Sequence, residues 1–325
     1  MTTQALTTDA NTTGAGAARV LGLSCGQPRG SAEILLKEAL QAAAAAGADV
    51  QLVRLEELRI PSGPDPSEPD DAWWFWERLV ECAGLIVSTP IISRSVTGRL
   101  KLLGDRLLGP NADAAIIEQL LEVRRAGHEP TVPFRLDERV LRPRVAGFLA
   151  VGGALTSQWR ALALPLLHTL TFSMSTAVVD QALFGGAGTP RSIVLDADAL
   201  TRAKLLGERV AGQLGRGLDD AEYLGDAGLC PMCHLDVVVL RGTDVECATC
   251  GARGRLAGAD GAVSWTDLTT SVIGMADRQA HSVEIQETAA RHAGQRAEIE
   301  RRASAYDAFD PVVRPAADEP VSTRS

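Results

Sequence analysis

The patterned part of the chain opens with a short apolar run at residues 20–23, between Arg19 and Ser24. A run of that length suits a strand buried on both faces. Leu35, Leu36, Ala39, Leu40 and Ala43 then recur at helical spacing, which predicts a helix over residues 31–46 with one apolar face, stopped by Gly47. Residues 50–55 read as a second strand, and 61–71, rich in Pro, Asp, Ser and Glu, as an exposed loop. A helix follows at 72–82, carrying Trp73, Trp74, Phe75 and Trp76, then a third strand at 85–87. Val96, Leu100, Leu103 and Leu107 mark another helix, and residues 145–151 a fourth strand that ends in Gly152 and Gly153. The pattern continues with a helix at 165–174, a fifth strand at 176–180 and an amphipathic helix at 200–214.

Strands alternating with helices predict an α/β fold, a doubly wound parallel sheet of five strands in the order 2-1-3-4-5, flavodoxin-like, with ligands at the carboxyl ends of the strands. The organisation that follows is a flexible leader at 1–18, an α/β domain at 19–215 with an insertion at 111–141, a cysteine-bearing module at 229–267, a helical segment at 268–310 and a disordered tail at 311–325. Within the helical segment, residues 277–302 read as one polar helix.

Composition narrows the function. A net charge of -9 repels nucleic-acid phosphates and disfavours a nucleic-acid partner. No apolar stretch reaches the length of a membrane span, and residues 1–18 lack the basic start and apolar run of a secretion signal. The expected compartment is therefore the cytoplasm. Four of the six cysteines form two Cys-x-x-Cys pairs, which in such a chain points to a metal rather than disulfides.

Those pairs are Cys230/Cys233 and Cys247/Cys250, separated by 13 residues. Each pair can place two thiolates on one ion, and two pairs close a tetrahedral four-sulfur site. An apolar run at 237–240, a turn at 241–244 and Val245 predict a hairpin that brings them together. Zn2+ in a small ribbon is the favoured occupant, and iron in the same four sulfurs is the alternative. A closed site leaves no open position for chemistry, so a structural or docking role is expected.

The second candidate lies between the first strand and the first helix. Ser24, Gly26, Gln27, Arg29, Gly30 and Ser31 can wrap an anion: backbone N–H groups and the helix start attract it, and the glycines let the chain come close. The loop has neither the dinucleotide nor the nucleoside-triphosphate glycine pattern. Cys25, Cys82 and His168 read as core residues, Trp73–Trp76 as core packing, a flavin cover or a dimer contact, and Trp159 as a pocket liner. His281 with Glu284, and the charge run at 296–302, read as solvated helix surface. No side chain is assigned a catalytic role.

Several segments together resemble the NADPH-dependent FMN reductase and iron-sulfur flavoprotein family: the run 20–26 with 31–40, the strand end 83–90, the helix 98–106 bearing Gly98, Leu100, Lys101, Asp105 and Arg106, and the turn 150–153. The resemblance covers residues 19–214 and extends to the cysteine module. It implies FMN bound at a subunit interface, in a dimer or tetramer, by three loops: Ser24 to Ser31 for the phosphate, Thr89, Pro90, Ile91, Ile92 and Ser93 beside the ring, and Gly152, Gly153 and Ala154 at its pyrimidine side. Three departures stand out. Where the family's phosphate loop ends in Asn followed by Ser or Thr, this chain has Ser31 and Ala32, which removes donors. Ile92 occupies a position that is commonly aromatic, and the loop at 61–71 lacks the cysteines of an iron-sulfur cluster. The implied activity is an FMN-dependent oxidoreductase that takes hydride from NAD(P)H and reduces a small acceptor: a flavin, a quinone, or an aromatic or other organic compound. A flavodoxin-like electron carrier and a ribbon-mediated binding or regulatory module are the alternatives.

Overall fold

The structure is a computed structural model that describes residues 17–61, 63, 68–258, 261–307, 309 and 311–313. Residues 1–16 of the expected leader and 314–325 of the expected tail lie outside the described residues. The first half alternates as expected: β1 (Arg19–Ser24), α1 (Ser31–Ala45), β2 (Asp49–Arg54), α2 (Ala72–Glu81), β3 (Gly84–Pro90), α3 (Gly98–Leu107), α4 (Ala114–Arg125), β4 (Val145–Val151), α5 (Ala163–His168), β5 (Ala177–Phe184) and α6 (Ala197–Gly212). The five strands pair in parallel in the order β2-β1-β3-β4-β5, so the flavodoxin-like topology read from the sequence holds.

Alternate residues of the strands feed two apolar layers. On one face Val20, Ile86, Val145 and Leu149 pack under α1 and α6; on the other Leu21, Leu23, Leu85, Val87 and Phe148 pack under α2, α3 and α5. Helices α1 and α6 cross so closely that a Cβ on Gly207 would overlap the Ala39 carbonyl, so only glycine fits at the crossing.

β5 is longer than the run at 176–180 predicts. Asp180 and Gln181 interrupt its apolar pattern, yet both are buried in mid-strand. They tolerate burial because both are fully engaged. Asp180 is gripped by Arg202 and by Arg209, whose Nη1 lies 2.9 Å away. Gln181 Nε2 donates to the Cys233 carbonyl at 2.9 Å while its Oε1 takes the His168 ring nitrogen at 2.9 Å. Outside β5, the Leu224 amide donates to the Val179 carbonyl at 2.7 Å.

Of the segment 111–141, the part around 135–139 lies against α2, while the start of α4 is tied to Ser173 by the Ala114 amide. Trp76 Nε1 donates to Asp137 at 3.1 Å, and Arg135 lies 3.9 Å over the Trp73 ring. Trp74 is half-exposed beneath Arg78. The tryptophan cluster is thus a packing feature of α2 with the 134–139 strap.

Residues beyond 229 build a four-stranded antiparallel sheet: β6 (Val238–Arg241), β7 (Asp244–Cys247), β8 (Arg253–Ala257) and β9 (Ala262–Asp267). The β6–β7 turn is the expected hairpin, with Gly242 in the left-handed region. The tail reads as one polar helix in the sequence but forms two, α7 (Met275–Ala293) and α8 (Arg296–Asp307). Gly294 falls at the break, where a glycine weakens helix continuity. By contact the chain divides into a unit ending at Gln279 and one beginning at Ala280. In the second, exposed His281 pairs with Glu284 at 3.1 Å, and Glu298 pairs with Arg301 and Arg302. Among the described residues no helix is long and apolar enough to cross a membrane.

Candidate functional site

Parallel pairing of β1, β3 and β4 brings their carboxyl ends to one edge, with Ser24 beside Ser88 and Pro90 beside Val151. The three loops picked out by sequence therefore stand in a row, and they touch. A Cβ on Gly26 would sit 3.1 Å from the Pro90 ring, and one on Gly152 would sit 3.2 Å from Ile91. The Cys25 amide donates to Ser88 O at 2.9 Å and the Ile91 amide to Val151 O at 2.8 Å, extending the ladders into the loops.

The first loop folds into a turn in which Gly30 N–H donates to Gln27 O at 2.9 Å, with Arg29 in the left-handed region. Ser88 Oγ donates to Ala32 O at 2.7 Å and so ties the start of α1 to β3. The N-cap of α1 is Gly30, which offers no side chain to cap the first-turn amides, while the Glu33 carboxylate takes the backbone amide of Arg29. Ser24 Oγ is buried and also has no partner. An orphan hydroxyl beside uncapped amides, under glycines, has the chemistry of an anion cradle, and it fits the phosphate of FMN. Gln27 and Arg29 are exposed at the rim and Ser31 is half-buried. Cys25 is fully buried, and burial pushes its thiol far above the ordinary range, as befits a core residue.

Sequence reasoning passed over Glu33. Its carboxylate is fully buried in the first turn of α1, where it meets Arg54 at 2.8 and 3.1 Å and Lys37 at 2.7 Å. The Arg54 hydrogen bonds lead in lowering its pKa to about 2, against the opposing effect of burial. With two cations on it, this acid does not leave a net negative charge beside the cradle. An acid in the first turn paired with the Arg that ends β2 is the signal that a sequence reader can look for.

In the second loop Thr89 is buried, its hydroxyl donating to Pro90 O at 3.0 Å. Ile92 and Ser95 exchange backbone hydrogen bonds of 2.9 Å in both directions, which closes a two-residue hairpin. Its central residues, Ser93 and Arg94, both have positive φ without being glycine. Each such residue costs about 1–3 kcal/mol, so the surrounding structure holds a shape the local sequence resists. The result pushes Ile92 outward, 56% exposed.

The third loop rests on a second glycine-rich segment that sequence reasoning also passed over, residues 185–188 after β5. The Gly152 amide donates to Phe184 O at 3.0 Å, the Ala187 amide to Gly152 O at 3.1 Å, and a Cβ on Gly153 would lie 3.2 Å from Gly188 Cα. Beyond Ala154, Leu155 and Trp159 are exposed, and Arg160 Nη2 donates to Leu155 O at 2.9 Å. Three exposed apolar side chains, Ile92, Leu155 and Trp159, thus belong to the second and third loops and their continuation.

Cys230, Cys233, Cys247 and Cys250 are all buried, and their sulfurs lie within 4.8 Å of one another. Cys230 and Cys250 are 3.6 Å apart, Cys233 and Cys247 3.4 Å. Two sulfurs on a tetrahedral zinc stand about 3.8 Å apart, so the arrangement fits that ion. Tight turns form each knuckle: the His234 amide donates to Cys230 O and the Gly251 amide to Cys247 O, both at 2.9 Å. The knuckles also belong to the same apolar cluster as Phe148 of β4, through β5 and its Gln181. His168 is the core histidine that its apolar setting predicts, and desolvation holds its pKa down at about 4.

Comparison with known proteins agrees with this geometry. A curated protein of Aspergillus candidus, flavone synthase cfoJ, is 37% identical over 268 residues, which span 76% of this chain and 81% of that protein. A solved flavone reductase superposes with a TM-score of 0.77 at 27% identity, covering 92% of this chain and all of the other. The sequence pattern of the NADPH-dependent FMN reductases matches residues 18–187, all five strands of the parallel sheet with the three loops at their ends. The chain accordingly belongs to the NADPH-dependent FMN reductase family and is an FMN-dependent oxidoreductase.

Proposed function

We propose that the protein moves hydride between NAD(P)H and a small planar phenolic acceptor of the flavone kind, with FMN held at the carboxyl edge of the parallel sheet. The observation that carries the cofactor assignment is the orphan Ser24 hydroxyl beside the uncapped start of α1. Ser24, Gly26, Gly30 and Ser31 hold the phosphate, with Gln27 and Arg29 closing from the rim. The loop from Thr89 to Ser93 lies along the ring, and Gly152, Gly153 and Ala154 meet its pyrimidine side. FMN bound here supplies the two-electron relay between nicotinamide and acceptor. In net terms NAD(P)H loses a hydride, and the acceptor gains that hydride and a solvent proton across a carbon–carbon double bond conjugated to a carbonyl. The reverse direction forms the double bond.

The acceptor class is supported by the two relatives named for flavone chemistry, whose alignments run past the FMN domain into the cysteine module. A second copy of the chain covers the ring side, and the exposed Ile92, Leu155 and Trp159 suit that role. Zn2+ in the four-cysteine site is a structural ion.

The test begins with absorbance: the purified protein binds FMN, turns yellow and bleaches on adding NADPH or NADH under argon. A hydroxylated flavone then gains two hydrogens, read as a mass increase of about 2 Da per turnover. Protein that takes up no FMN, or reduced protein that never reoxidises with flavone, defeats the proposal.

A further inference from the structure

Next to the third loop lies a cavity of about 450 Å³. It opens between α5, β5 and the first cysteine knuckle, and its walls include Arg160, Leu164, Gln181, Tyr223, Asp226 and His234. The phosphate cradle ends β1, which stands three strand spacings from β5, about 14 Å. The cavity is therefore on the far side of the site from the phosphate. Its volume falls in the range of small-molecule pockets.

Three features fix the chemistry it accepts. Tyr223 and His234 stack face to face, 3.6 Å between ring centres and 8° from parallel, and so present a flat slab. Arg160 is a cation with capacity to spare: Nη2 donates to Leu155 O, Nε is buried without an acceptor, and no described ion pair includes it. The remaining polar groups are largely committed, Gln181 to His168 and Cys233, the Tyr223 hydroxyl to Asp226 O, and Asp236 to the Leu229 amide. Asp226 and Asp236 are among the residues of the wall, and their negative charge disfavours a phosphate dianion. A neutral planar molecule with a carbonyl oxygen and phenolic hydroxyls meets every one of these groups favourably: ring on the slab, oxygen on the guanidinium, hydroxyls toward the carboxylates.

We infer that this cavity seats the planar phenolic acceptor, with Arg160 donating to its carbonyl oxygen and the zinc knuckle forming one wall. The inference rests on the acceptor class proposed above and gives the ribbon a part in the specificity of the enzyme. Arg160 is a positioning residue and takes no part in hydride transfer.

The test is a titration of the FMN-loaded full chain with 4′,5,7-trihydroxyflavone, followed by calorimetry. The wild type binds saturably. Arg160→Gln raises Kd about 10-fold, the loss of one charged hydrogen bond. Ala227→Phe, on an exposed loop that lines the cavity, raises Kd by a similar factor or more by filling it; it decides the matter if Arg160→Gln does not fold. Failure of the wild type to bind, or wild-type Kd in both variants, overturns the site. Turnover separates the two ideas. Flavone reduction with an unchanged KM in both variants keeps the function and removes this site; weakened binding in both variants with no reduction by the wild type keeps the site and removes the function.

Discussion

The proposed phosphate cradle and the cysteine knuckles are built on opposite principles. The cradle is made mostly of backbone: helix-start amides, two glycines that let the loop pack against Pro90 and the Gln27 carbonyl, and one orphan hydroxyl. The knuckles are made of side chains, four buried sulfurs in a closed shell within the apolar core. A site of side chains shows its chemistry in residue types and spacing. A site of backbone shows it only through position, at the end of a strand where a helix begins.

That contrast has measurable consequences, the largest at the knuckles. With zinc bound as proposed, Cys233→Ser removes one of its ligands and leaves three thiols in the core; because those sulfurs share a cluster with Phe148, the FMN domain should lose stability too. The expected loss is at least about 4 kcal/mol, since metal binding in such modules is worth on the order of 10 kcal/mol. Zinc content by mass spectrometry should fall to background and the melting temperature should drop sharply. Metal loss with an unchanged melting temperature would show that the two regions are independent.

Next comes Glu33→Gln, at the junction of both kinds of building. The native pKa of about 2 lies below the ordinary value of 4.5, so the carboxylate stabilises the fold above pH 4.5 and that stability is lost as pH falls toward 2. The variant should be less stable by about 2 kcal/mol at pH 7, after allowance for a partly exposed Arg54, with a flatter dependence of urea midpoint on pH below 4.5. Parallel pH profiles for the two proteins would refute the assignment.

Ser24→Ala separates the cradle's function from its stability. Removing an unpartnered buried hydroxyl should leave the cofactor-free protein as stable or about 1 kcal/mol more so, while FMN binds about 10-fold more weakly by flavin fluorescence titration. Equal FMN affinity would mean that the hydroxyl faces away from the phosphate. Smallest of all, Ile92→Tyr offers the ring an aromatic partner from an already exposed position, and FMN should bind about 3-fold more tightly.

Legibility in the sequence follows the same division. Uninterrupted apolar runs declared β1, β3 and β4, and cysteine spacing declared the ribbon. The expected strand at 176–180 stops short of Phe184 because the polar Asp180 and Gln181 end the apolar run; their partners, Arg202, Arg209, His168 and Cys233, are 12 or more positions away, beyond any local window. The hairpin at 93–94 carried no glycine to announce it, so its left-handed residues were invisible. Nothing in the sequence singles out Arg160, because its lack of a carboxylate partner among the described residues is visible only in three dimensions.

The amide of Leu224 resting on the outer rim of β5 bears on how copies of this chain can associate. A strand with a free rim invites another chain to add to the sheet. The Leu224 amide takes up one carbonyl on the β5 margin, and at the opposite margin β2 carries the charged Asp49 and Arg54. If copies of this chain associate as proposed, the faces and loop ends are then better suited to the contact than the β5 margin.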